Sequence, residues 1–474
     1  MLRRILGNAA ALAVGGAVAQ VAFFAIEILI ARQLLRTDYG VFATVQTLGL
    51  TGLIVLDLGM HWYAIEAGSR RSTEIPSLLG TTIVLRVLIF CVLWPAAIAF
   101  LSLVGYESPI VEFFAIYFLF SLAMSVQDSL AAAHTAQQRM GINAAFQGSV
   151  AIVVALLVAI ALYTWGSLES VGYAYVIGGT SVTFVWFVTA CRRIRPEIRL
   201  NEARQIVSGS YLYALSGLLT QAFRKGDILL LSVFSTMPQV GVYAAASKLL
   251  DLAYKVPYLG SLVVSPAMFK SADDDSKFFL AADLLARVNC ALGCVVAAFF
   301  YHNATPVILL LFGDEFGSSA TVLRILSASF ALKFIHQALQ TILTTRSMHT
   351  ARTKALAWAT GAAALFHAIL IPQFGALGAA SAVIGAEAIL TILLVVALNR
   401  TGLARVVGSR VLSAVVILTI AIGLSEFSSL EGLGATIATF ASIAVGLHFS
   451  RLLTFVEIRD LALKLFALMQ RSAK

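Results

Sequence analysis

Runs of apolar residues, each bounded by a short polar stretch, follow one another along this 474-residue chain. They fall at about residues 8–31, 39–58, 77–101, 110–131, 144–165 and 171–190, and again at about 207–234, 240–265, 278–301, 318–344, 355–371 and 375–398. A last pair lies near 411–425 and 434–453. A helix needs about 20 apolar residues to cross the hydrocarbon of a bilayer, so the pattern predicts an all-α polytopic membrane protein with about 14 transmembrane helices. The opening MLRRILGNAAALAVGGAVAQ imitates a secretory signal, with Arg3 and Arg4 ahead of an apolar stretch that reaches Ala17-Val18-Ala19. That stretch runs on through VAFFAIEILIA to Ala31, which is too long for a signal core and right for a retained first span.

The two groups of six spans read as copies of each other. An offset of 201 residues sets ALAVGGAVAQ (11–20) on LYALSGLLTQ (212–221) and YGVFAT (39–44) on VGVYAA (240–245). Matches of Ala, Val and Leu carry little weight in a chain that is 60% hydrophobic. The rarer pairs decide: Gly16 with Gly217, Gln20 with Gln221, Gly40 with Gly241, Gly59 with Gly260, and Arg86 with Arg287. An even number of spans per copy gives both the same orientation, as in transporters built of parallel repeats. The expected organisation is an N-terminal six-helix lobe (1–190), a cytoplasmic linker (191–206), a second six-helix lobe (207–400), and two extra helices with an amphipathic tail (401–474). A central cavity between the lobes is expected to hold the ligand.

Composition narrows the class. Only 12% of the residues are charged, which leaves no soluble domain of useful size. The 33 Lys and Arg exceed the 24 Asp and Glu, a balance that in a soluble protein suggests nucleic acid. With a cytoplasmic N-terminus, about 23 of the basic residues fall in cytoplasmic loops and about 2 on the far side, so orientation by the positive-inside rule accounts for most of the excess. No nucleic-acid partner is expected. The tail EIRDLALKLFALMQRSAK (457–474) reads as a helix lying on the cytoplasmic face of the bilayer.

Cys91, Cys191, Cys290 and Cys294 show no ligand spacing, so no metal site is expected. The seven histidines are scattered, and only His336 and His367 are noted as places for a proton relay. The chain has no Walker lysine loop, nucleotide fingerprint or nucleophile elbow. No enzymatic activity and no cofactor are expected, and transport is to draw on an H+ or Na+ gradient, the membrane potential or a downhill substrate.

The candidate chemistry lies in charges within the spans. The stretch AFRKGDILLL places Arg224, Lys225 and Asp227 inside an apolar run, where each charge costs about 2.5–3.5 kcal/mol at a helix centre. Lys248, Asp251 and Lys255 recur at helical spacing and share a stripe with Tyr243, Tyr254 and Tyr258. Arg86 and Arg287 occupy equivalent places in the two copies, roughly 13 Å in from the cytoplasmic end at 1.5 Å per residue. Snorkelling, or the pairing of Arg224 with Asp227 one turn away, explains any one of these charges, and Arg324 and Lys333 read as anchors of the tenth helix. Taken together, Arg86, Arg224, Lys225, Lys248, Lys255 and Arg287, with Asp227 and Asp251 as charge partners, predict a basic cavity. Its ligand is an anion, and Arg and Lys together suit phosphate oxygens.

Five stretches carry a family resemblance: ARQLLRTDYGVFA, DLGM, RKGDILLLSVFSTMPQVGVYAAASKLL, LLFGDEFGSSATVLRIL and PQFGALGAASAVIGAEAI. Over about residues 1–400 the chain resembles bacterial polysaccharide flippases, the polysaccharide transporter branch of the multidrug, oligosaccharidyl-lipid and polysaccharide exporter superfamily. It departs from the family at Leu35-Arg36-Thr37, where leucine, glycine, proline is common, although Asp38 and Gly40 keep turn chemistry. The resemblance implies a MATE-like fold in the bacterial inner membrane. It also implies alternating-access transfer of an undecaprenyl-pyrophosphate-linked oligosaccharide to the periplasmic leaflet, with a polysaccharide polymerase and assembly proteins as partners. Arg224, Lys225 and Asp227 match the charged segment of the family's seventh helix. A peptidoglycan-precursor flippase, a multidrug antiporter and a non-transporting scaffold of a glycan assembly complex remain open as alternatives.

Overall fold

The computed structural model describes residues 2–271, 274–427 and 433–450. The expected amphipathic tail lies outside the described residues. Every long element among them is a helix: α1 (Leu2–Gln33), α2 (Arg36–Asp57), α3 (Met60–Arg70), α4 (Ile75–Val104), α5 (Ser108–Ala136), α6 (Met140–Thr164), α7 (Leu168–Cys191), α8 (Ala203–Phe234), α9 (Met237–Lys270), α10 (Asp275–His302), α11 (Ala304–Phe312), α12 (Ser319–Thr345), α13 (His349–Ala397), α14 (Ala404–Phe427) and α15 (Leu433–Phe449). Ten of the described helices are long and apolar enough to cross a membrane. The charged helices α8 and α9 are not among those ten. The break between α1 and α2 at residues 34–35 recurs between α8 and α9 at residues 235–236, which keeps the offset seen in the sequence.

The chain divides into two compact units, Met1–Lys225 and Gly226–Lys474. In the first, α1 packs on α6, and α5 is flanked by α2, α3, α4 and α7. The α1–α6 approach is close because residue 15 is glycine: a Cβ there would lie 2.6 Å from the Ala144 Cβ. The core is aromatic. Phe42 of α2, stacked on Tyr39, meets Phe113 and Tyr117 of α5 and Tyr175 of α7, with the Tyr117 and Tyr175 rings 5.2 Å apart. Residues that end or start helices are legible locally. Pro76 sits in the first turn of α4, where its missing N–H is no loss, and Gly105 closes α4 with φ +92°. Between α2 and α3 the backbone turns through Leu58 and Gly59, both left-handed, at φ 45° and 77°. The segment after α7 docks on the start of α4: the Glu197 N–H donates to the Pro76 carbonyl at 2.9 Å and the Arg199 N–H to Thr81 Oγ1 at 3.0 Å.

In the second unit α12 is the central helix, buried against α9, α10 and α13. Its ends and interior are dominated by Leu, Phe, Ala and Ile, and the interior also admits Lys333, His336 and Gln337. Helix α13 is two helices joined at a kink, because Gly375 adopts φ 56°, ψ −128° just after Pro372. The kink frees the Ala376 N–H, and Gln239 at the start of α9 accepts from it at 3.2 Å. Two spans with a break between 371 and 375 are what the sequence pattern predicts here. Helices α14 and α15 pair with each other and with α10.

Candidate functional site

In the first unit a polar cluster is built where α2 ends, α3 begins and α4 and α5 pass. Arg86 of α4 has no exposed surface. Its guanidinium bonds to the Asp57 carboxylate and donates to the Ser125 carbonyl. Asp57 also accepts from the His61 N–H at 3.0 Å, and His61 Nδ1 lies 3.0 Å from the Asp128 carbonyl oxygen. The charges nearest the Asp128 carboxyl group are Arg86, His61 and Asp57. The left-handed Leu58-Gly59 turn brings Asp57 and His61 side by side. In this conformation Arg86 therefore acts as a clasp across three helices.

Arg224 is exposed on α8, with Lys225 half-buried beside it. Asp227, one turn further on, accepts from the Tyr243 hydroxyl of α9 at 2.5 Å, and its other oxygen accepts from the Ile228 N–H at 2.8 Å. The Tyr243 side chain is fully buried, so this bond links α8 to α9 in the interior of the second unit. Lys248 and Asp251 are half-buried along α9 and Lys255 is exposed. Tyr254, on the same stripe, donates to the Gln337 Oε1 of α12.

Arg287 of α10 pairs with Asp283 one turn away at 2.5 Å, and the same carboxylate receives Arg410 Nε of α14 at 3.2 Å. Two guanidinium groups thus share one buried carboxylate. Arg86 and Arg287, equivalent in the repeat, are each held by a carboxylate of their own unit.

A further group was not foreseen as a unit. Lys333, expected as an anchor of its helix, instead ion-pairs with Glu387 of α13: Nζ lies 2.8 Å from Oε1, and His336 Nδ1 lies 2.7 Å from Oε2. The side chains are 13%, 5% and 2% exposed for Lys333, His336 and Glu387. His367, the other histidine noted from the sequence, is buried with Nδ1 2.6 Å from the Ala363 carbonyl of its own helix. The signal that could have found the triad was present: an acid alone in an apolar span, and a Lys and His at i, i+3 in another. Their pairing depends on α12 packing against α13, which no local pattern encodes. Among the described residues no three His, Cys, Asp or Glu side chains gather to hold a metal ion, and Cys290 and Cys294 are buried free thiols.

Ten long apolar helices among the described residues mark a multi-pass membrane protein. The inward closed conformation of the lipid II flippase MurJ has the same fold, with a TM-score of 0.74 at 12% identity over 95% of this chain and 99% of that one. An inward-facing multidrug resistance MATE family transporter of the MOP superfamily gives 0.68 at 15% identity, covering 82% and 95% of the two chains. A MOP superfamily transporter from Pyrococcus furiosus, described as having a binding pocket of reverse polarity, gives 0.60 at 14% identity, covering 85% and 95%. No curated protein sequence matches this one. Residues 29–321 match the family described as polysaccharide biosynthesis protein, and the chain belongs to that family.

Proposed function

We propose that this protein is a lipid-linked oligosaccharide flippase. In this reading it moves an undecaprenyl-pyrophosphate-linked glycan from the cytoplasmic to the periplasmic leaflet of the bacterial inner membrane by alternating access, with its N-terminus in the cytoplasm. Family membership supplies the polysaccharide context. The observation that carries the ligand chemistry is that Arg224 and Lys225 keep exposed surface on α8; Lys248 and Lys255 do so on α9. Such residues suit a diphosphate, Arg by paired hydrogen bonds and Lys as a point charge. Asp227, held by Tyr243, fixes the geometry of the α8 segment next to Arg224 and Lys225. Arg86 is a clasp while its guanidinium stays enclosed. A polymerase and assembly proteins are the proposed partners, and the chain itself carries no catalytic role.

The test is a deletion strain complemented at matched expression. Loss of the protein is expected to leave lipid-linked repeat units on the inner leaflet with normal cell-wall synthesis. Arg224→Ala with Lys225→Ala is expected to fail in complementation. Unchanged export by that double variant overturns the reading. The similarity to MurJ over nearly the whole chain favours one second reading, a peptidoglycan-precursor flippase, which predicts lysis of the deletion strain instead.

A further inference from the structure

The Glu387, Lys333 and His336 cluster has no part in the ligand chemistry above, yet it places three ionisable groups in the interior of a membrane helix bundle. Ionisable residues there are costly and mark proton or ion pathways by default. Each oxygen of the Glu387 carboxylate has a nitrogen of α12 close by, although Oε2 and His336 Nδ1 make no aligned hydrogen bond. One oxygen meets an ammonium at 2.8 Å and the other an imidazole at 2.7 Å. A diffusible metal cation seeking Glu387 would have to displace a tethered one, because Lys333 already sits where such an ion would bind. The species that this cluster can still take up is a proton, on the imidazole, the side chain that most often relays protons.

We propose that the triad is a proton-binding site in which Lys333 stands in for a metal cation and His336 carries the exchangeable proton. The added proton leaves both ring nitrogens of His336 bearing hydrogen, with Nδ1 2.7 Å from Glu387 Oε2. The cluster then passes from neutral, as carboxylate, ammonium and imidazole, to a charge of plus one. Two full cations now compete for one carboxylate, and the hold on Lys333 weakens. An alternative seat is at hand: the Lys333 ammonium lies 5.9 Å from the centroid of the Tyr254 ring, within cation–π range. The same ring is 6.0 Å from that of His336, and its hydroxyl donates to Gln337. Tyr254 belongs to α9, the helix that bears Lys248, Asp251 and Lys255. Protonation on α12 is thereby felt by the helix that carries cations assigned to the diphosphate.

Other ionisable groups lie on the helices packed against α12. From α9 come Tyr254, Asp251 and Tyr243, whose hydroxyl bonds Asp227 of α8, and Tyr243 and Glu387 are within electrostatic reach of each other. From α13 come Glu387 and Arg352, which has Tyr254 as its charge neighbour and donates to Thr344 at 3.0 Å. On α10, Asp283 and Arg287 are bound to each other and to Arg410. Helix α11 carries no ionisable residue.

This inference rests on the transporter reading but not on its substrate, and the experiment uses no glycan. The full-length protein is reconstituted in liposomes on a solid-supported membrane and given a step from about pH 8 to about pH 6, spanning histidine titration, without sodium. A transient charge displacement that titrates as a single site is expected in the wild type and in Lys333→Arg. It is expected to fall by about tenfold in His336→Gln, the group that takes the proton being gone. Absence of the transient in the wild type overturns the proposal, whatever the variants do. So does a His336→Gln protein that keeps it, or a sodium step at fixed pH that gives a Glu387-dependent signal. A positive result alongside intact glycan export in the Arg224 and Lys225 variant would sink the substrate reading and leave the proton site standing.

Discussion

Replacing Arg86 by Met isolates the clasp of the first unit. The substitution keeps most of the side-chain volume but removes the cation bonded to Asp57 and the donor to the Ser125 carbonyl. Removing one partner of a buried pair costs about 3–5 kcal/mol, because the remaining charge loses its compensation. Asp57 keeps 17% side-chain exposure and the His61 N–H as a donor, so the lower end applies, about 3 kcal/mol. For a unit of this size each kcal/mol is worth about 2–4 °C, which gives a fall of about 6–12 °C in the melting temperature. Tryptophan fluorescence reads it well, since Trp62, Trp94, Trp165 and Trp186 all belong to this unit. The double variant Arg86→Met with Asp57→Leu removes both charges and is expected to melt within about 1 kcal/mol of the wild type, as replacements of whole buried pairs do. An Arg86→Met protein that melts like the wild type would refute the argument. So would a double variant no more stable than the single one.

Three further outcomes are expected. Gly59→Ala places a Cβ 2.4 Å from the Ser210 carbonyl oxygen at a residue with φ +77°, so it should cost more than the roughly 1 kcal/mol of an ordinary left-handed alanine and cut the yield of folded protein on size-exclusion chromatography. Tyr243→Phe leaves the Asp227 carboxylate without its hydroxyl donor, a loss of about 1–3 kcal/mol. Thiol labelling of buried Cys290 and Cys294 during heating should begin at lower temperature than in the wild type. Asp274 caps α10, and hydrogen bonds from the Lys277 side chain first, then Ser276 and the Lys277 N–H, hold its carboxyl well below the usual carboxylate range. A depressed carboxylate contributes stability that is present above its ordinary pKa, about 4, and is lost as pH falls below it. The melting difference between the wild type and Asp274→Ala should therefore shrink on acidification, and a difference that grows would contradict this sign.

The sequence exposed what each helix says about itself. Apolar length predicted about 14 spans and a break between 371 and 375, where Pro372 and Gly375 kink α13, while ten of the described helices are long and apolar enough to cross a membrane. The short helices α3 and α11 escaped, α3 because its mixed polarity resembles a loop and α11 because nine residues are too few to read as a span. The charges themselves were legible, but their partners were not. Arg86 was visible as an intramembrane cation, whereas Asp57 looked like the end of a different span. Lys333 looked like an anchor until Glu387 arrived from another helix. Tyr243 was seen as part of a stripe, and its bond to Asp227 depends on how α8 and α9 lie side by side.

The Arg86–Asp57 clasp also bears on how the chain is made. An arginine released into lipid alone is penalised by about 2.5–3.5 kcal/mol, enough to delay insertion of the helix that bears it. Asp57 precedes Arg86 by 29 residues, so it has already emerged from the ribosome when the arginine does. Helices α2 to α4 can then leave the translocon as one electroneutral hairpin, with the pair formed before either charge meets acyl chains, and synthesis order becomes part of what lets this basic residue live in the bilayer.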